Sequence, residues 1–349
     1  MTEKQKIRTA VLGASGYTGG ETLRLAVRHE NIELVSLTAE RHAGQDIESV
    51  FPNLAGFKLP KLAKIPDVNF EELDAVFCCL PHGTTQEVVK ALPDTLKVFD
   101  LSADFRLTDP AVYSKWYGHE HYAPALQAEA VYGLTEHYRS MLPKKRIIAC
   151  PGCYPTSALL PLLPVIKVGQ ISHDDIIIDS KSGVSGAGRA AKEAMLFSEV
   201  GEGIHAYGLG THRHGPEINQ ELSVAAEADV VTSFTPHLVP MNRGILSTIY
   251  VQLSDGVGLT DIRETLVQSY HEEPFVYVVA SGKSPATRHV RGSNKCAIGV
   301  FESQLPNRVI LVCAIDNLVK GSSGQAIQNF NIAFGLPEQL GLEQAPIFP

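Results

Sequence analysis

Two cysteines three residues apart, in the run Cys150-Pro151-Gly152-Cys153-Tyr154-Pro155-Thr156, separate an apolar strand-like segment, Arg146 to Ala149, from an apolar, helix-like one, Thr156 to Val165, that Pro164 should break. A thiol at a strand-to-helix turn lies at the positive end of a helix, which favours the thiolate that attacks carbonyls. Cys153 is therefore the candidate nucleophile. The competing readings are a buried, inert cysteine and a redox-active C-x-x-C pair. Such a nucleophile needs a proton carrier, and Thr211-His212-Arg213-His214-Gly215-Pro216-Glu217 supplies two imidazoles. Pro216 suits the first turn of a helix capped by Gly215, so His214 is expected just outside the helix, where neutral imidazole is favoured. His214 is the expected acid/base, with Glu217 to orient it. His237, in Pro236-His237-Leu238-Val239-Pro240, is the second candidate base, although a structural histidine at a strand end is the preferred reading. The H-x-H spacing with His205 suggests a metal, but neither of the nearer cysteine and carboxylate arrangements has zinc-site spacing, and no metal is expected.

Those side chains need elements to hold them. Ile7 to Leu12 reads as a strand running into Gly13-Ala14-Ser15-Gly16-Tyr17-Thr18-Gly19, after which Leu23, Ala26 and Val27 recur at helical spacing. Strand, glycine turn and helix is the arrangement that lets backbone N–H groups hold a pyrophosphate. Gly13, Ser15, Gly16, Tyr17, Thr18 and Gly19 are assigned to a dinucleotide, although G-x-x-G-x-x-G also fits a plain turn. After the second strand, Ile32 to Leu37, Thr38 and Arg41 are placed to hold a 2′-phosphate, pointing to NADP, while Glu40 leaves NAD open. Strands at Asp74 to Leu80 and Val98 to Leu101 lead into Pro81-His82-Gly83-Thr84, with a helix from about Thr85 to Leu92, and into Ser102-Ala103-Asp104-Phe105-Arg106. Alternating strands and helices predict an open parallel sheet with its ligand crevice at the carboxyl ends of the strands. His82 and Gly83 fall there on the cofactor side. Arg106 is either a salt-bridged loop residue or a clamp for a substrate anion.

Beyond the strand Ile176 to Ile178, Ser182-Gly183-Val184-Ser185-Gly186-Ala187-Gly188-Arg189 is a glycine-rich loop, either mobile or a backbone cradle for phosphate or ribose. Ser182, Gly183 and Gly186 are assigned to the cofactor and Ser185 to the substrate. Gly244 to Leu253, Phe275 to Val279, Cys296 to Phe301 and Val309 to Ile315 read as strands without the βαβ rhythm, predicting a mixed or antiparallel sheet. Asn317 follows the last strand, as a candidate nicotinamide contact, and the helix from about Gln325 to Phe334 is expected to return to the first domain. The fold class is an α/β Rossmann domain with a parallel sheet plus an α+β catalytic domain. Residues 1–152 with about 318–349 should form the first, and 153–317 the second.

Composition excludes other classes. The chain has 349 residues, 44% hydrophobic and 19% charged, with a net charge of -8 and no basic stripe, which argues against nucleic acid. No run approaches about 18 apolar residues, and Met1 to Arg8 is charged with no apolar stretch behind it, so a cytoplasmic protein is expected. Six scattered cysteines are no disulfide framework.

With G-A-S-G-Y-T-G, S-A-D-F-R, P-G-C-Y-P-T, S-G-V-S-G-A-G-R, H-R-H-G-P-E and P-H-L-V-P-M-N-R-G in place, the chain resembles the N-acetyl-γ-glutamyl-phosphate reductase family, the arginine-pathway branch of the semialdehyde dehydrogenases. The resemblance runs nearly end to end. It implies NADPH, a homodimer or homotetramer, Cys153 as nucleophile, His214 as acid/base, and Arg106 and His212 as substrate contacts. At Cys150 such proteins commonly carry Asn, so a second thiol stands near the nucleophile and a reversible Cys150–Cys153 disulfide becomes an expectation. Reductases of aspartyl phosphate or of a carrier-bound aminoadipyl phosphate share the chemistry. An NADP-binding thiol sensor is the alternative from another class.

Overall fold

The computed structural model describes residues 6–349. They form two compact units, one of residues up to Pro151 with Ser322–Glu343 and one of Gly152–Gly321 with Gln344–Pro349. The chain thus returns to the first unit at Ser322 rather than at about 318. Gln344–Pro349, expected in the first domain, packs with the second. There Ile347 donates its N–H to Arg291 O, and the Arg288 guanidinium lies 5.6 Å from the Phe348 ring centre.

In the first unit the strands are β1 (Ile7–Leu12), β2 (Ile32–Thr38), β3 (Leu62–Ala63), β4 (Ala75–Cys78), β5 (Lys97–Asp100), β6 (Ala130–Tyr132) and β7 (Ile147–Ala149). They pair only in parallel, in the order β3-β2-β1-β4-β5-β7-β6. The two edge strands were not expected, because two or three residues carry no period to read. Phe77 of β4, Phe99 of β5 and Phe330 of the helix Gly324–Ala333 stack with centroids 5.2–5.7 Å apart, all fully buried. Each ring contributes roughly 2–3 kcal/mol by leaving water. Polar groups beneath them are paired: Asn329 donates to Gly133 O, and Thr135 donates to Asn329 Oδ1.

The second unit contains β8 (Ile177–Gly183), β9 (His205–Ala206), β10 (Ser233–Val239), β11 (Ile245–Gln252), β12 (Val276–Val278), β13 (Cys296–Glu302) and β14 (Arg308–Ile315). Their order is β12-β13-β14-β11-β8-β10-β9, a mixed sheet with parallel β8–β10 and β12–β13 pairs. His237, expected at a strand end, lies within β10. The helix Cys153–Lys167 runs through Pro161 and Pro164 instead of breaking at Pro164. An interior proline removes the donor to the carbonyl four residues back, at a cost of about 3 kcal/mol. For Pro164 that carbonyl is Leu160 O, and the Tyr270 hydroxyl donates to it. Burial of Leu159, Leu160, Leu162, Leu163 and Val165 offsets the rest.

Candidate active site

Cys153 is the first residue of its helix, and Gly152 is the N-cap. The helix dipole favours an anion at that position. Three groups fix this turn within the second unit. Gly152 donates its N–H to Glu217 Oε1 at 2.8 Å, and the Glu217 carboxylate is buried. His214 lies against Gly152, since a Cβ there would fall 2.5 Å from His214 Nε2. On the other side a Cβ on Gly321 would fall 2.8 Å from Cys153 Cβ. Only glycine lets the imidazole and the later chain approach the Cys153 turn this closely. His214 is itself the first residue of the helix His214–Ala226, not outside it, and Pro216 sits in the first turn where it breaks no hydrogen bond.

The two imidazoles have different surroundings. The His214 backbone N–H donates to His212 Nδ1 at 3.1 Å, so His212 carries its proton on Nε2. Burial, with Arg213 adding to it, pushes His212 down to about 4. At neutral pH His212 is a fixed neutral donor and a weak base. Tyr154, the residue after Cys153, meets His212 and His214 edge-on at 5.6 and 5.8 Å and Phe234 at 5.4 Å. Its hydroxyl donates to His237 O and accepts from Tyr207. Sequence reasoning missed this aromatic wall. The signal was Tyr154 beside Cys153. His237 is held within 3.2 Å of Asp179, which Lys181 also contacts.

The same end of the second sheet gathers the remaining candidates of this unit. Gly183 pairs with Val239, Ser182 with Ile245 and Ile245 with Ile315, and the Ile315 side chain reaches the Gly321 that touches Cys153. Asn317 is 2% exposed and braces this corner: its Oδ1 accepts from Gly244 N–H and its Nδ2 donates to Ser185 Oγ. Ser182 is buried and donates to Gly183 O, whereas Gly186 is exposed.

In the first unit Gly13 has φ +80°, and a Cβ on it would fall 2.3 Å from Cys79 O, so only glycine fits this turn. Gly16 is the N-cap of the helix Tyr17–Ala26. Ser15, Gly16, Tyr17 and Thr18 are at least partly accessible, while Gly19 is buried against the turn. This backbone cradle fits a dinucleotide pyrophosphate. Thr38 is a correction: it is 1% exposed and its Oγ1 accepts Gly13 N–H at 3.2 Å, so it shapes the turn instead of facing a 2′-phosphate. Glu40 and Arg41 are exposed. His82 Nδ1 accepts from Ala103 N–H, and Gly83 donates to Asp104. Asp104, overlooked in the sequence, also accepts from Thr85 N–H and the Tyr113 hydroxyl. Arg106 is 6% exposed, with Nε donating to Cys150 O at 2.8 Å and Nη2 to Leu101 O at 3.3 Å. Cys150 is buried beside Asn329, and burial pushes its thiol up to about 12. No group of three or more candidate metal ligands occurs among the described residues.

Comparisons with known proteins agree with this anatomy. Residues 8–144 match the semialdehyde dehydrogenase NAD-binding domain, and residues 153–317 the semialdehyde dehydrogenase dimerisation domain. An N-acetyl-gamma-glutamyl-phosphate reductase of Rhodospirillum rubrum is 57% identical, covering 99% of each chain. A probable chloroplastic N-acetyl-gamma-glutamyl-phosphate reductase of Arabidopsis thaliana is 55% identical, over 99% of this chain and 86% of that one. Among solved structures, aspartate semialdehyde dehydrogenase II of Vibrio cholerae, complexed with ASA, superposes with a TM-score of 0.71 at 14% identity, over 95% and 99% of the chains. Aspartate semialdehyde dehydrogenase of Candida albicans with NADP gives 0.68 at 19%, over 94% and 98%. At such identities the structures establish the fold alone.

Proposed function

Because this chain belongs to the semialdehyde dehydrogenase family, and within it to the N-acetyl-γ-glutamyl-phosphate reductases, we propose that Cys153 and His214 carry out its acyl-phosphate reduction. The overall reaction converts N-acetyl-γ-glutamyl phosphate to N-acetylglutamate 5-semialdehyde with release of phosphate, a step of arginine biosynthesis. The observation that carries the residue assignment is Cys153 at a helix start with the His214 imidazole packed on the preceding glycine.

His214 takes the Cys153 proton, and the thiolate attacks the acyl carbonyl. The carbon–oxygen bond to phosphate breaks, phosphate departs with the bonding pair, and a thioester remains on Cys153. The nicotinamide cofactor, when bound, supplies the hydride that reduces this thioester. His214 gives its proton to the oxyanion so formed. His214 takes the hydroxyl proton back as the carbon–sulfur bond of the resulting hemithioacetal breaks, the aldehyde leaves, and His214 returns that proton to the Cys153 thiolate to restore the thiol. His212, a neutral Nε2–H donor, hydrogen-bonds the substrate and carries no proton across the cycle. Glu217 keeps the Gly152 N–H, and with it the turn, in place. Asn317 holds Ser185 in the loop assigned to the ligands.

The first unit would hold the cofactor at Gly13, Ser15, Gly16, Tyr17, Thr18 and Gly19, with His82 and Gly83 on the loop shaped by Asp104. Arg41, exposed past β2, supports NADP over NAD. Arg106 acts chiefly by fixing the Cys150 carbonyl. Assembly as a homodimer or homotetramer in the cytoplasm accompanies this reading; no helix among the described residues is long and apolar enough to cross a membrane.

The test runs the reaction backwards with purified protein, offering N-acetylglutamate, aspartate and aminoadipate semialdehydes in turn with phosphate and either NADP⁺ or NAD⁺. Phosphate-dependent turnover of the N-acetylglutamate compound with NADP⁺ is expected. Preference for another semialdehyde, or turnover without phosphate, would refute it.

A further inference from the structure

Three serines of the second unit, Ser157, Ser180 and Ser247, are fully buried, where a hydroxyl is destabilising unless it is paired. They are paired with one another. Ser180 and Ser247 stand opposite each other on the adjacent inner strands β8 and β11, with their Oγ atoms 2.7 Å apart. Ser247 Oγ is also 2.7 Å from Oγ of Ser157, on the helix Cys153–Lys167, and Ser157 donates to Tyr154 O at 2.9 Å. A hydroxyl has one proton to give, so these contacts have a single consistent direction. Ser157 gives its proton to Tyr154 O, Ser247 must then donate to Ser157, and Ser180 to Ser247.

This chain of hydroxyls runs from the middle of the sheet to the first turns of the helix that begins with Cys153. The helix otherwise packs on β11, β14 and the helices His214–Ala226 and Leu259–Tyr270 with mostly apolar side chains, and apolar packing is non-directional. A hydrogen bond is directional, so the Ser247–Ser157 link fixes the rotation of the helix about its own axis. Cys153 and Ser157 are four residues apart and lie on one face of the helix. The link that sets the direction of Ser157 therefore sets that of Cys153, one turn earlier. Tyr154, whose carbonyl ends the chain, also has its ring against His212 and His214. We propose that the Ser180–Ser247–Ser157 chain aims the Cys153 thiol at the acyl carbonyl and at His214, with Ser157 and Ser247 as positioning residues. The inference rests on the reading of Cys153 as nucleophile and adds what orients it. An error of about 1 Å in such a placement can cost on the order of 10²-fold in rate, so a buried hydroxyl can act on kcat well beyond its effect on stability.

The experiment compares wild type with Ser157→Ala, Ser247→Ala and Ser180→Ala as full-length protein. It reads reverse-direction kinetics with N-acetylglutamate semialdehyde, phosphate and NADP⁺, and the rate at which iodoacetamide alkylates Cys153, located by mass spectrometry of the labelled peptide. Ser157→Ala and Ser247→Ala cut the link between helix and sheet from opposite sides. Alanine at 157 also favours the helix, so Ser157→Ala decides by itself should the strand variant not fold. Each should lower kcat roughly tenfold or more and slow alkylation of Cys153 about threefold or more. KM for the semialdehyde and for phosphate should stay within about twofold. Ser180→Ala removes a hydroxyl of equal burial but leaves Ser247 donating to Ser157, so its kcat should remain within about threefold of wild type. An unchanged kcat in Ser157→Ala overturns the proposal. So does an equal loss of kcat in all three variants, which would make the serines packing elements only, or a rise in KM without a fall in kcat, which would move their effect to substrate binding. Any of these results beside normal wild-type turnover removes this inference and leaves Cys153 as nucleophile, whereas full turnover by wild type with Cys153 alkylated removes both.

Discussion

Cys150 and Cys153 stand three residues apart in the chain, yet they belong to different units with opposite electrostatics. Around Cys150 the strand ends of the first unit collect buried ionisable groups. Asp100 and Asp104 are both 0% exposed, and Arg106 ties itself to the Cys150 and Leu101 carbonyls. These charges are spent on backbone N–H and C=O groups and fix the shape of loops. Around Cys153 the second unit sets partly accessible groups, namely His212, His214 and Tyr207, against the wall of Tyr154 and Phe234. The difference teaches that burial of charge marks a scaffold here, while reactive groups stand where a ligand can still reach them.

The sharpest way to break the comparison is Cys153→Ser. Turnover should fall by about a thousandfold or more, because a serine hydroxyl at this place is a far weaker nucleophile, while NADPH binding followed by fluorescence stays as in wild type. Substantial residual turnover would move the chemistry elsewhere. Next come the imidazoles: His214→Asn should cost about 10²–10³ in kcat, the ordinary worth of a general acid/base. His212→Asn should cost about tenfold, mainly in KM for the semialdehyde. A reversal of that order would assign the proton to His212. His212 also predicts a stability trend. Its folded-state value, about 4, lies below the ordinary 6.5, so its contribution is present above about 6.5 and is lost as pH falls toward 4. The His212→Asn variant should lack that part of the acid-side decline in melting temperature.

Asp100 provides the opposite case from the first unit. Burial, with the neighbouring Asp104 second, pushes its carboxyl up to about 7 from 3.8. A raised acid binds its proton more tightly when folded, so its contribution is whole below 3.8 and is lost as pH rises to about 7. Asp100→Asn should therefore be more resistant to urea than wild type above pH 7, by on the order of a few kcal/mol, and should lose that advantage in acid. An unchanged pH profile would place the ionisation elsewhere.

The smallest effect is expected at Cys150. With its thiol pushed up to about 12 by burial, it is a slow partner for an oxidised Cys153. Cys150→Asn should keep activity within about threefold of wild type and inactivate in peroxide at the same rate. A clear change in that rate would restore the disulfide suggested by the C-x-x-C spacing.

Much of the site was legible because its signals are local. The Gly13 turn, the Cys153 turn and the two-histidine motif each lie within a few consecutive residues, and most strands of four residues or more announce themselves by composition, although the seven-residue β10 was not read as one. Thr38 illustrates where reading stops. Its place after β2 suggested a phosphate contact, but whether its hydroxyl faces outward or takes the Gly13 N–H depends on strand register. Pro164 was read as a break, because nothing near it in the chain shows that the Tyr270 hydroxyl will supply the missing donor to Leu160.

The sequence by itself determined the fold class, the candidate nucleophile and the pair of candidate imidazoles, since glycine geometry, helix starts and residue chemistry act over a few bonds. Only the tertiary structure decided which imidazole is locked as a neutral donor, and that Asp100 and Cys150 are buried with their titration shifted upward. Each of those depends on desolvation and on partners brought together from distant parts of the chain, and neither is encoded in any short run of residues.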